Sequence, residues 1–172
     1  MINKRIVFVD GTTIDDRNAF VDAAMKYSEN VIYHSVVDAA RHIAFTASVG
    51  YNGKSESKDL ELIDDIINAF DKYCNLSMDK FIEAIDGFNL IPELDTMMVY
   101  CRFERIHKDF MRHCTYQNIQ FDSVFVKSSD SNETNQYPNR TDINDFRCII
   151  ERTDDIDDFN DKVIRFICKA PV

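Results

Sequence analysis

An apolar run at residues 5–9, RIVFV, leads into Asp10 and then Gly11-Thr12-Thr13-Ile14-Asp15-Asp16-Arg17-Asn18. The spacing is that of a phosphate-binding loop, G-x-x-x-x-G-K-[ST]. In such a loop the second glycine lets backbone N–H groups curl around phosphate, the lysine neutralises the terminal phosphates and the hydroxyl holds magnesium. Gly11 is in place. Asp16 stands at the second glycine position and adds a side chain and a negative charge. Arg17 replaces the lysine with a wider, more rigid cation. Asn18 replaces the hydroxyl residue. Asp15 and Asp16 are expected to face any polyphosphate there. At about 4 Å and an effective dielectric near 20, each repulsion is on the order of 4 kcal/mol. The spacing suits phosphoryl transfer and most of the chemistry does not.

Other reactive side chains form weaker patterns. His107, His113, Cys114 and Cys101 invite zinc, but their spacing matches no compact zinc site, so no metal is expected. The five cysteines, Cys74, Cys101, Cys114, Cys148 and Cys168, are odd in number and contain no CxxC pair. They read as reduced, mostly buried thiols. His34 and Ser35 are chain neighbours without a nucleophile elbow, which argues against a hydrolase triad.

Charge narrows the partners. Twenty Lys and Arg against thirty Asp and Glu give a formal net charge of −10. Nucleic-acid binding needs a positive footprint, so none is expected. The acidity favours solubility or a basic protein partner. No run of about 18 apolar residues predicts a membrane span, and the N-terminal apolar stretch is too short for a signal peptide. A cytoplasmic protein is the expectation.

These groups need elements to position them. The 172 residues suit one domain over 1–172. Strands are expected at 5–9, 31–34, 96–101, 119–127 and 146–150, where β-branched and aromatic residues cluster. Helical spacing predicts a helix over 16–28 capped by Asp15 or Asp16. It predicts another from Ser35 to about 48. A third is expected over 58–74, with Leu60, Leu62, Ile63, Ile66, Ile67, Phe70 and Tyr73 as its stripe. Ser77 begins a fourth, with Phe81, Ile82 and Ile85 inward, and Pro92 breaks the pattern. Helices over 104–113 and 154–169 follow, the last carrying Ile156, Phe159, Val163, Phe166 and Ile167 inward. Residues 128–145 are polar and aperiodic, a long loop. Short apolar strands alternating with amphipathic helices imply a three-layer α/β/α sandwich around a mostly parallel five-stranded sheet. Ligands of such sheets sit beyond the strands' carboxyl ends: here Gly11, His34-Ser35, Arg102 and Lys127.

Several stretches together resemble the small deoxynucleoside monophosphate kinase-like proteins of phages and prophages, within the P-loop kinase superfamily. They are IVFVDGTTIDDRNAFVDAA, HSVVDAARHIA, VGYNGKSESKDLELIDDIINAFDKYCN, MMVYCRFERIHKDF and the polar stretch 128–145 in the position of a lid. The resemblance covers nearly the whole chain. It implies a nucleoside monophosphate kinase-like fold with the first strand at the centre of the sheet. It also implies nucleotide or monophosphate contacts at Ser35, Asp38, Arg41, Arg102, Lys127 and, in the lid, Arg140. Asp38 with Arg41 could equally be a helix surface pair, and Arg102 an ion pair with Glu104. Where the family carries Gly-Lys, this chain carries Asp16-Arg17, and a basic residue expected near Leu60 is missing.

Three readings follow. The first is a catalytically degenerate kinase fold reused for binding, presenting Asp154, Asp155, Asp157, Asp158 and Asp161 to a basic host or defence protein in an infected or lysogenic bacterium. Those acids also suit a solvated helix start. The second is a protein that binds or sequesters a nucleotide. The third is a weak kinase using ATP and Mg²⁺, with Arg17 doing the lysine's work and Asn18 helping to hold the metal; only this reading needs a cofactor.

Overall fold

The computed structural model describes residues 4–36, 40, 59–101, 103–129 and 141–168. Five strands form one sheet: β1 (Arg5–Gly11), β2 (Val31–His34), β3 (Thr96–Tyr100), β4 (Gln120–Ser128) and β5 (Cys148–Arg152). Their order is β2-β3-β1-β4-β5, and every pairing is parallel. β1 lies at the centre, between β3 and β4, and is buried along its whole length. Such a strand has no polar face to spare, which is why its middle, Ile6 to Val9, is an unbroken apolar run.

Among the described residues four helices cover the sheet: α1 (Ile14–Tyr27), α2 (Asp59–Asn89), α3 (Glu104–Tyr116) and α4 (Ile156–Ile167). Alternation along β1 divides the core into two layers. Ile6 and Phe8 pack with Phe81, Ile85 and Phe88 of α2 and Ile106 and Phe110 of α3. Val7 and Val9 pack with Phe20 and Val21 of α1 and Phe159, Val163 and Phe166 of α4. Phe81 and Phe110 stack 3.9 Å apart between centroids, 12° from parallel, and join α2 to α3. The result is the three-layer α/β/α sandwich expected from the alternating elements.

Several local expectations are corrected. α1 begins at Ile14, and its cap is Thr13, not Asp15 or Asp16. The helices expected over 58–74 and from Ser77 are one, α2. Ser77 is buried and its hydroxyl donates to the Tyr73 carbonyl at 2.7 Å, so it bonds back along the helix instead of starting a new one. Ile67, Ile82 and Ile156 are exposed, the last 71% so. The final strand runs over 148–152; Phe146 precedes it and packs edge-on against Phe125. Ser128 belongs to β4, and a 3-10 turn occupies Ile143–Asp145, so the loop expected over 128–145 is shorter at both ends. Its middle, and most of the helix expected after Ser35, lie outside the described residues. Among those described, no helix is long and apolar enough to cross a membrane.

Candidate functional site

The carboxyl end of the sheet gathers the sequence-level candidates around the β1–α1 turn. Only Thr12 and Thr13 separate β1 from α1, so Asp16 and Arg17 lie in the first helical turn and not in a wide loop. A Cβ added at Gly11 would stand 2.8 Å from the Arg17 backbone nitrogen and 3.0 Å from both the Asp16 Cβ and the Thr13 carbonyl oxygen. Glycine is required here by this close approach of backbone to backbone.

Asp16 folds back over the start of its own helix. Its Oδ2 accepts from the Thr13 backbone N–H at 3.1 Å and from the Thr13 hydroxyl at 2.9 Å. The Asp16 N–H donates in turn to Thr13 Oγ1 at 3.2 Å. This reciprocal capping box satisfies N-terminal donors that α1 would otherwise leave open. Two distant residues complete the shell. The Ser128 hydroxyl, at the end of β4, donates to Oδ2, and Arg152 Nη1, at the end of β5, reaches Oδ1 at 3.2 Å. Asp16 is 3% exposed. The turn is also tied to β4 directly: Thr12 N–H donates to the Val126 carbonyl at 3.0 Å, and Ser128 N–H to Thr12 Oγ1 at 3.1 Å. A carboxylate held by the helix N-terminus, a hydroxyl and a guanidinium stands where a helix start would take an external anion.

The other loop candidates diverge. Arg17 is buried and its guanidinium lies 3.8 Å from the centroid of the Tyr100 ring, at the end of β3. That cation–π contact turns it across the sheet end. Asp15 and Asn18 are exposed, so of the two carboxylates expected to face a ligand only Asp16 turns inward. Asp10 is fully buried and accepts from the Gly11 N–H at 2.8 Å.

Ser35 is exposed beyond β2 and lines a cavity of about 270 Å³ with His34, Lys80, Glu83 and Gly87. Lys127 is half-buried on β4, one residue before Ser128. Asp38, Arg41, Arg102 and Arg140 lie outside the described residues. Asp154, Asp155, Asp157, Asp158 and Asp161 are all exposed around the start of α4. Asp155 caps that helix, accepting from the Asp158 N–H at 3.1 Å, and Asp158 pairs with Lys162 at 3.0 Å. The solvated helix start therefore accounts for three of the five, Asp155 as cap and Asp157 and Asp158 in the first turn.

Three of the four zinc candidates, His107, Cys101 and Cys114, are buried, and His113 is half-buried. The His107 ring lies edge-on to Phe8 and Phe146, at 4.9 and 5.6 Å between centroids. Burial pushes the Cys114 thiol up to about 12 and the Cys74 thiol up to about 11, and raises Cys101 well above its ordinary value. Such thiols are poor nucleophiles at neutral pH. Among the described residues, no group of His, Cys, Asp and Glu is placed to hold a metal.

The sequence reading missed Thr13, Ser128 and Arg152. The pattern Thr13-x-x-Asp16 just before an apolar-periodic stretch is a capping-box signal and could have found the first. Nothing local marks the other two, which lie 112 and 136 residues from Asp16.

No protein-family model matches the chain, and no curated protein matches it. Seven chains of solved structures do. One is a mutant of the APS kinase of Mycobacterium tuberculosis, with 11% identity, a TM-score of 0.56 and coverage of 97% of this chain and 99% of that one. With the strand order and the central β1, this likeness gives the chain the fold of the P-loop nucleoside monophosphate kinase type.

Proposed function

We propose that this chain uses a P-loop kinase-like fold to bind a partner and does not transfer phosphate from ATP. One observation carries the reading: the Asp16 carboxylate, held by Thr13, Ser128 and Arg152, lies over the start of α1. A triphosphate entering there would meet a buried negative charge and lose the donors already engaged. Arg17, which would have to replace the lysine, lies against Tyr100. The residues present therefore do not fit Mg²⁺·ATP in the usual arrangement. Phosphoryl transfer depends on positioning and charge compensation, and both are weakened.

The partner class that suits the charge is a basic protein. The net charge is −10, and the start of α4 presents Asp154, Asp157 and Asp161 to solvent. Such a surface steers a Lys- and Arg-rich partner and loses its pull in salt. The resemblance to phage kinase-like proteins makes a host or defence protein the natural candidate.

A second reading rests on the cavity at Ser35. With Lys80 and His34 in its wall, it offers donors to a monophosphate or other small acid. In that case the chain would hold a nucleotide without turning it over.

Thermal denaturation with Mg²⁺·ATP, and separately with ribo- and deoxynucleoside monophosphates, separates the readings. A ligand at about 100 times its dissociation constant adds roughly 2.7 kcal/mol, a shift of a few degrees for a domain of this size. The binding reading expects no shift with ATP. A clear ATP shift accompanied by ADP release in the wild type would sink it. A shift with a monophosphate alone, lost in Lys80→Ala, favours the second reading.

A further inference from the structure

We propose that residues 141–147 form a strap latched against α3 by the His107 ring, and that a proton on His107 releases it in mild acid. The strap is a 3-10 turn, Ile143–Asp145, between two buried side chains, Thr141 and Phe146. Asp142, Asn144, Asp145 and Arg147 are exposed. The Phe146 ring lies edge-on to His107 of α3 at 5.6 Å and to Phe125 of β4 at 5.4 Å, between centroids. The Arg147 N–H donates to the Ser123 hydroxyl at 2.9 Å, and its guanidinium lies 4.8 Å from the centroid of the Phe121 ring. The N–H groups of Asn144, Asp145 and Phe146 donate within the turn, to Asp142 and Ile143.

The closed strap leaves two polar atoms unmet. His107 Nδ1 and Thr141 Oγ1 have no hydrogen-bond partner among the described residues, in side chains 4% and 2% exposed. A buried polar atom without a partner is a cost that water removes on opening, so this segment belongs to the low-stability end of the molecule. His107 decides how far. A neutral imidazole donates from one nitrogen, whereas an imidazolium donates from both and needs two acceptors. Phe8 of β1, 4.9 Å from the ring centroid, and Phe146 offer it none. The charges that act on it are Asp145 on the strap and Glu104 on its own helix, which pairs with Lys108 at 2.6 Å. Both carboxylates favour the imidazolium, but burial outweighs them and favours the neutral ring. The open strap therefore takes up the proton at higher pH than the closed one. Closure is fully favoured above about pH 6.5 and weakens as pH falls below it. The strap leads into β5, whose Arg152 holds Asp16, so the switch lies at the start of a strand that closes the candidate site.

Amide hydrogen exchange of the full chain at pH 7.5 and 5.5, corrected for the intrinsic pH dependence of exchange, reads the opening. The amides of 141–147 should be less protected than those of β1 at both pH values. Their protection should fall about tenfold from the higher pH to the lower, because the open ring titrates near pH 6.5 and the closed one stays neutral. His107→Gln should hold the protection of 141–147 constant over this range. His107→Phe, a ring that Phe8 and Phe146 can pack against, should do the same, and serves if the glutamine variant fails to fold. Protection of 141–147 equal to that of β1 overturns the proposal, because only unfolding of the whole chain would then expose the ring. So does wild-type protection that is the same at both pH values, or a fall that persists in the His107 variants.

Discussion

The two ends of the sheet solve the same problem with opposite charges. At the amino end, β1 and the residue before it send cations to opposite faces. Lys4 Nζ donates to the carbonyls of Phe88, Ile91 and Leu94 at 2.8, 2.7 and 2.8 Å, where α2 ends, and lies 4.2 Å from the centroid of the Phe88 ring. Arg5 donates to the carbonyls of Phe166 and Ile167 at 3.4 and 2.7 Å, where α4 ends. Helix C-termini expose acceptors and partial negative charge, and these cations meet both. At the carboxyl end Asp16 does the converse for α1. The difference lies in what each end is for. The amino end of such a sheet is structural, so an internal charge there costs no function. The carboxyl end is where α/β sheets take ligands, and a buried internal anion there competes with one.

That contrast can be broken or sharpened by substitution. Arg5→Met should be the largest effect, about 3 kcal/mol in urea unfolding, because two buried carbonyls lose a charged donor. Burial lowers the Arg5 pKa, against the opposing pull of Asp122 and Asp95. Asp16→Ala should cost about 2 kcal/mol, combining a lost capping box with donors left open on Ser128 and Arg152. If that variant were as stable as wild type, the clasp would hold nothing together. Asp16→Asn, which keeps an acceptor, should lose about half as much, and a cycle with Arg152→Ala should show coupling. Lys4→Met should cost about 1 kcal/mol, since part of its cage is open to solvent and water can replace it.

A smaller effect tests a charge site with no helix end to serve. His107 is 4% exposed and its Nδ1 has no hydrogen-bond partner among the described residues. Burial lowers its pKa, against the opposing pull of Asp145 and Glu104. The unfolded chain therefore takes up this proton at higher pH than the folded one. Stability from neutral His107 is present above about pH 6.5 and is lost as pH falls below it, by at most about 1.4 kcal/mol per pH unit. Unfolding free energies between pH 7.5 and 5.5 should show this slope, and His107→Gln should flatten it. Least of all, Lys162→Ala should change stability by only about 0.3 kcal/mol, because its bond to Asp158 is a half-exposed i,i+4 pair.

Legibility followed the range of the forces. The apolar runs within β1, β3 and β4 were plain because the stretches of a strand buried on both faces are mostly apolar. The apolar spacing of α4 was legible too, although Ile156 in its first turn proved exposed and Phe159 begins the buried stripe. Ser77 misled because a hydroxyl can cap a helix or bond back within one, and only the buried environment decides. At the candidate site, the replacement of glycine and lysine by Asp16 and Arg17 was visible at once. What those side chains do instead was not.

The sequence by itself determined the alternation of strands and helices, the acidity and the changed residues of the β1–α1 turn, since each depends on residue type and near neighbours. The tertiary structure decided that Asp16 would be closed over by Ser128 and Arg152, and that Arg17 would lie on Tyr100. Those contacts join α1, β3, β4 and β5 across the top of a parallel sheet. Parallel strands become neighbours only after the chain has crossed over between them, so residues far apart in sequence meet at one end. No local pattern encodes which ones.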